Sequence, residues 1–209
     1  MTAGTRPRFA AIIPVGTLAG AKTRLGESLD AEEREALVEG LLARTVVAAL
    51  AVERLDDVLV ASPDREVLRR AAELGARTLR QRTRGLNAGL AEARTDVVAG
   101  GAEAILVLPI DLPFVTAEAI AAVLEPVAHS PAVVLVTDRH GTGTNALALR
   151  PPDVIDFGFG PGSRRRHRSA AEVAGATYTE VDGPLEVDLD TPDDLVLAES
   201  ITPAVVGAD

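Results

Sequence analysis

The sequence has no cysteine and no tryptophan, and only one tyrosine and four phenylalanines. Without cysteine there is no disulfide framework, no thiolate nucleophile and no cysteine-based zinc site. With aromatics at 2% of the chain, the core must be built from Ala, Val, Leu and Ile. Base stacking on an aromatic platform, as in RNA-binding sheets, has almost nothing to work with. Positive charge is also in deficit: 21 Lys and Arg against 31 Asp and Glu give a formal charge of −10. Nucleic acids and anionic membranes need a cationic surface, so neither is expected as a partner. No apolar run reaches the roughly 18 residues of a membrane span, and residues 1–8 are short and polar, unlike a signal peptide. A flexible lead-in over residues 1–8 and a cytoplasmic protein are the expectation.

What is present is ordinary globular material, 47% hydrophobic and 25% charged over 209 residues, which suits one compact domain spanning 1–209. Short apolar runs read as strands at Phe9–Val15, Asp57–Ala61, Ala76–Leu79, Ala104–Leu108, Ala132–Thr137 and Asn145–Leu149, with further strands near Tyr178–Val181 and at Val187–Asp190. Helical segments lie between them. Asp30 with Glu33 predicts a capping box opening a helix to about Val52. Ser62-Pro63 predicts a second cap, and Thr116 and the stretch after Gly162 open others. Strands alternating with helices imply an α/β fold, a mostly parallel Rossmann-like sheet with helices on both faces. In such sheets ligands sit beyond the carboxyl ends of the strands. The loops after the first strand, after Leu108 and around 137–145 are therefore the ones to inspect.

Two familiar motifs are nearly matched. Gly16 and Lys22 have the spacing of a P-loop and Thr23 follows, but the second glycine is displaced to Gly20, with Ala21 in its place. That glycine lets backbone N–H groups wrap phosphates, so a P-loop kinase stays only as the alternative reading, alongside a non-catalytic nucleotide-binding protein. Gly141-Thr142-Gly143-Thr144-Asn145-Ala146 matches a dinucleotide fingerprint, yet it precedes a strand instead of a helix, which excludes that use.

The chemistry-bearing candidates are acids at strand ends and cations on loops. Asp111 follows the most hydrophobic strand, between Pro109 and Pro113. Asp188 and Asp190, two apart, would share one face of an extended segment. Mg²⁺ takes one or two carboxylates plus phosphate oxygens and water, so Asp111 with Asp188 and Asp190 makes a candidate Mg²⁺ site. Lys22 and Arg24, on the glycine-rich loop after the first strand, can offset phosphates as a point charge and a fork. Gly160–Ser163 precedes a helix whose first turn is Arg164-Arg165-Arg166-His167-Arg168, and a helix N-terminus is an anion site.

Taken together, PVGTLAGAKTRL (Pro14–Leu25), the GLN of Gly85–Asn87, the IDLP around Asp111, GTGTNAL, FGPGS with RRRHR, and DLDTPDDL resemble the 2-phospho-L-lactate guanylyltransferases. That family includes the phosphoenolpyruvate guanylyltransferases known as CofC and FbiD, and the resemblance spans Ile12 to Leu197. It implies a GT-A-type nucleotidyltransferase fold like that of the molybdenum-cofactor guanylyltransferases. It also implies transfer of GMP from GTP to phosphoenolpyruvate or 2-phospho-L-lactate, with release of pyrophosphate, in coenzyme F-420 biosynthesis. Carried over by position, Lys22 and Arg24 would meet the GTP phosphates, and Gly85 and Asn87 would lie near the nucleoside. Asp111 with Asp188 or Asp190 would hold Mg²⁺, while Thr144, Gly160 and Ser163 would bind the acceptor. The chain departs from the pattern at Gly16, where relatives commonly carry Lys. Monomer and homodimer both stay open.

Overall fold

The computed structural model describes residues 6–17 and 30–189. Its strands and helices alternate as the hydrophobic pattern requires: β1 (Phe9–Pro14), α1 (Ala31–Leu50), β2 (Leu55–Ser62), α2 (Arg65–Glu73), β3 (Arg77–Arg80), α3 (Leu86–Ala99), β4 (Ala104–Val107), α4 (Ala117–Leu124), β5 (Ala132–Val136), β6 (Ala146–Arg150), α5 (Ser163–Ala174) and β7 (Thr177–Glu180). The helices start where their capping residues stand. Asp30 accepts from the Glu32 and Glu33 N–H groups while Glu33 returns a bond to the Asp30 N–H, completing the capping box. Thr116 caps α4. The cap of α2 is Asp64 instead of Ser62, because Ser62 ends β2 and its hydroxyl accepts from the Asp64 N–H.

All described strands join one seven-stranded sheet in the order β3-β2-β1-β4-β6-β5-β7. Successive side chains of a strand point to opposite faces, and β1 splits accordingly. Phe9, Ala11 and Ile13 enter the core shared with Val38, Leu42 and Ile120, on the face covered by α1, α2 and α4. Ala10 and Ile12 enter the core with Leu90, Val97 and Ala171, under α3 and α5. Burial on both faces explains why the strands read as continuous aliphatic runs.

One strand runs against the others. β6 pairs antiparallel with both β4 and β5, while β7 pairs parallel with β5. A parallel return needs a crossover of a dozen or more residues, and residues 137–145 are too few, so β5 and β6 form a hairpin. This places Asn145 and the GTGT turn at the sheet edge where β1 and β4 end. Of the strand expected at Val187–Asp190, residues 187–189 form no ladder and Val187 is merely extended, while Asp190 lies outside the described residues.

Candidate active site

The order of the central strands reverses between β1 and β4, which flank one another while β2 and β6 lie outward. Such a switch point opens a crevice at the carboxyl ends. Beyond β4, Leu108 continues the pairing through its N–H to the Ile12 carbonyl. The chain then turns at Pro109–Val115, with Leu112 and Ile110 buried and Asp111 half-buried between them. Anchoring both neighbours in the core fixes where the Asp111 backbone sits. Arg44, reaching from α1, donates to the Pro113 carbonyl at 2.6 Å and holds the same turn from the other side.

The second acidic segment docks directly on the first. The Leu189 N–H donates to the Asp111 carbonyl at 2.9 Å, and the Leu189 side chain is buried. Asp188, next to it, is half-buried at this edge. Asn145, at the foot of β6, donates to the carbonyls of Leu185 and Glu186 at 3.0 Å each, which carries the segment to Asp111. The structure therefore brings the Asp111 and Asp188 backbones together. Asp190, and with it the shared face expected of the pair, lies outside the described residues, as do Lys22 and Arg24. Among the described residues no group of at least three His, Asp or Glu gathers as a metal cage. A pair of acids suffices for Mg²⁺, which keeps waters and takes phosphate oxygens from its substrate, so the donor set fits that ion.

A second cluster forms where the hairpin turn meets the start of α5. Asp138 accepts from the Thr142 N–H at 2.7 Å and from its hydroxyl at 3.2 Å. Burial resists ionisation of Asp138, but the N–H groups of Thr142 and Gly143 outweigh it and hold the carboxyl below its usual value. The turn passes so close to this carboxylate that a Cβ on Gly143 would stand 2.6 Å from an Asp138 oxygen. Thr142 in turn accepts from the Arg164 N–H at 3.3 Å, joining the hairpin to α5. Arg164 itself donates to the Gly141 carbonyl at 2.9 Å and pairs with Glu180 at 2.8 Å.

Gly160 and Gly162 both have positive φ, +112° and +72°, which only glycine adopts without strain, and they bend the chain into α5. Ser163 opens the helix and is 1% exposed. The arginines beside it are mostly committed to protein partners. Arg166 donates to the carbonyls of Gly158 and Pro161, and Arg168 pairs with Glu172.

Side chains that the sequence offered for other work, or passed over, hold this loop. Asn87, expected near a nucleoside, donates its amide to the Phe159 carbonyl at 3.1 Å and accepts from the Phe159 N–H at 2.9 Å. It stitches α3 to the FGPGS loop. Gly85 precedes it with φ +87° at the cap of α3, and its carbonyl accepts from Gln81. His167 is buried. Its Nε2 accepts from the Gly158 N–H at 2.9 Å and its Nδ1 lies 3.1 Å from Thr144 Oγ1. Burial first, then the nearby Arg166 charge, pushes its pKa down to about 4. The Gly16 carbonyl accepts from Ser62 at 3.2 Å. A Cβ at Gly16 would meet nothing within 4 Å.

Comparison with known proteins bears on the fold and the family. Among solved structures, a putative nucleotide-diphospho-sugar transferase from Desulfovibrio desulfuricans G20 superposes with a TM-score of 0.74 at 17% identity, covering 95% of this chain and 89% of that one. A 4-diphosphocytidyl-2C-methyl-D-erythritol synthase from Anaerococcus prevotii superposes with a TM-score of 0.65 at 12% identity, covering 94% and 96%. These likenesses establish the nucleotidyltransferase fold. In sequence, the phosphoenolpyruvate guanylyltransferase of Rubrobacter xylanophilus is 45% identical over 91% of this chain and 93% of its own length. The enzyme of the same name from Sphaerobacter thermophilus is 43% identical, covering 88% and 89%. Residues 9–200 match the family described as "Guanylyl transferase CofC like". The chain therefore belongs to the CofC-like guanylyl transferase family.

Proposed function

We propose that this chain transfers GMP from GTP to phosphoenolpyruvate, forming enolpyruvyl-diphospho-guanosine and pyrophosphate, as a cytoplasmic step of coenzyme F-420 biosynthesis. The observation that carries this reading is the name shared by relatives 45% and 43% identical over most of the chain. The site's construction is consistent with it. A phosphate oxygen of the acceptor attacks the α-phosphorus of GTP. The new O–P bond forms as the bond from that phosphorus to the β-phosphate oxygen breaks, and the electron pair leaves with pyrophosphate.

Thr144, Gly160 and Ser163 hold the three-carbon phosphoacid in this reading, using a hydroxyl pair and the backbone at the start of α5. Lys22 and Arg24 offset the GTP phosphates. Gly85 lies at the nucleoside side, and Asn87 contributes through the loop it anchors. Asp111 and Asp188, with Asp190, would hold Mg²⁺, which when bound supplies positive charge against the pyrophosphate leaving group. Two anionic reactants repel one another, so alignment and charge neutralisation carry most of the acceleration. A phosphate dianion is already nucleophilic near neutral pH, so no general base is needed. His167 is not used as one, since its Nε2 already accepts a backbone hydrogen bond.

The test is pyrophosphate release on a matrix of the four NTPs against phosphoenolpyruvate, 2-phospho-L-lactate and 3-phosphoglycerate. Release confined to GTP with phosphoenolpyruvate is the expected result. A clear preference for 2-phospho-L-lactate would replace the acceptor, and GDP formation without pyrophosphate would remove the reading.

A further inference from the structure

His167 joins the elements of the acceptor wall. It sits on α5, 1% exposed, with the Phe159 ring edge-on at 5.2 Å between centroids. Its two ring nitrogens face groups of different character. The Gly158 N–H can only donate, so Nε2, at 2.9 Å, must present its lone pair. A ring with a lone pair on Nε2 is neutral and carries its proton on Nδ1. Nδ1 therefore donates to Thr144 Oγ1 at 3.1 Å. A hydroxyl that accepts at its oxygen still has one hydrogen to give, and the Thr144 hydrogen cannot return to a nitrogen that already carries a proton.

We propose that His167 is a positioning residue for the acceptor, holding Thr144 Oγ1 from behind as an Nδ1-protonated neutral imidazole so that the Thr144 hydroxyl donates outward to an anionic oxygen of the bound phosphoacid. The same ring, through Gly158, sets the backbone that leads to Gly160 and Ser163. One buried side chain thus aligns the hydroxyl and the loop that together form the anion site. Protonation would place a second donor against the Gly158 N–H and break that contact, which burial opposes. This inference rests on the reading of Thr144 as an acceptor contact.

The ring nitrogens can be separated by substitution. In His167→Asn the amide nitrogen occupies the position of Nδ1 and can still donate to Thr144, whereas in His167→Gln the amide oxygen reaches the position of Nε2 and keeps only the Gly158 contact. With the full chain, GTP and phosphoenolpyruvate, His167→Gln raises the acceptor KM about tenfold with the KM for GTP unchanged, the size of one lost hydrogen bond. His167→Asn stays within about threefold of wild type by the same measure. Equal losses in the two variants, or KM values for both substrates rising together, would show a merely structural histidine and overturn the proposal. Long-range ¹⁵N–¹H correlation on the unsubstituted chain reads the tautomer directly, and keeps the idea testable if a variant fails to fold. An unprotonated Nε2 at neutral pH is expected; an Nε2–H tautomer or an imidazolium overturns it. Thr144→Val separates this inference from the reading beneath it. An unchanged acceptor KM in that variant removes Thr144 from the acceptor site and the proposal with it. A raised KM there without one in His167→Gln removes His167 alone.

Discussion

The two segments proposed to flank the reactants, an acid-bearing wall and an acceptor wall, are built on different principles. The acid-bearing wall carries formal charge on half-buried side chains, Asp111 and Asp188, and its geometry is set through carbonyl groups: Leu189 to Asp111, Arg44 to Pro113, Asn145 to Leu185 and Glu186. The proposed acceptor wall is rich in arginine by sequence, yet Arg164, Arg166 and Arg168 are turned to Glu180, loop carbonyls and Glu172. A nucleotidyltransferase must bring two anions together without trapping either. In the proposed reading the ion site and the acceptor loop stand on separate segments, and Arg164 and Arg166 hold that loop through Glu180 and the Gly141, Gly158 and Pro161 carbonyls.

The contrast can be broken at either wall. The largest effect is expected on the acid side, where Asp111→Ala should lower kcat/KM by about a thousandfold while the thermal midpoint stays near wild type, since a metal ligand contributes several kcal/mol to the transition state. Initial rates of pyrophosphate release over a Mg²⁺ titration check it.

The next effect belongs to the acceptor wall and to acid. His167 has an ordinary pKa of 6.5 when unfolded and about 4 when folded. Below pH 6.5 the unfolded chain binds the extra proton and the folded one does not, so this histidine's contribution is intact above pH 6.5 and is lost as pH falls toward 4. A shift of that size corresponds to about 3 kcal/mol. Urea unfolding of wild type and His167→Asn from pH 7 to pH 4 should show the difference between them narrowing.

A smaller loss is expected from Asn145→Ala, which strands two carbonyls and should cost about 2 kcal/mol in stability, with kcat falling as the Asp188 segment loosens. Urea titration reads the first and steady-state rates the second. The smallest is Ser163→Ala, expected to raise the acceptor KM about tenfold and leave the KM for GTP unchanged. Equal increases for both substrates would remove Ser163 from the acceptor site.

Local signals carried much of this into the sequence. The β4 run ending at Asp111, the Asp30–Glu33 box and the glycines around Ser163 depend on neighbours in the chain, and each was legible. The antiparallel β6 was legible in principle, because the 137–145 connection is too short for a crossover. What could not be read was the set of side chains that position the walls. Arg44 reaches a carbonyl 69 residues away, Asn87 one at 72 and Asn145 one at 40. Nothing in the local spacing of an arginine or an asparagine distinguishes such a role from a solvated surface. The pairing of Arg164 was hidden for the same reason, since Glu180 belongs to a different element.

The proposed reaction turns on which phosphorus changes partners. A ³¹P spectrum of the products from GTP, phosphoenolpyruvate and Mg²⁺ should show a diphosphate joining guanosine to the three-carbon acid, together with free pyrophosphate. Formation of GDP with the acceptor carrying the γ-phosphoryl group, or no new diphosphate at all, would contradict it.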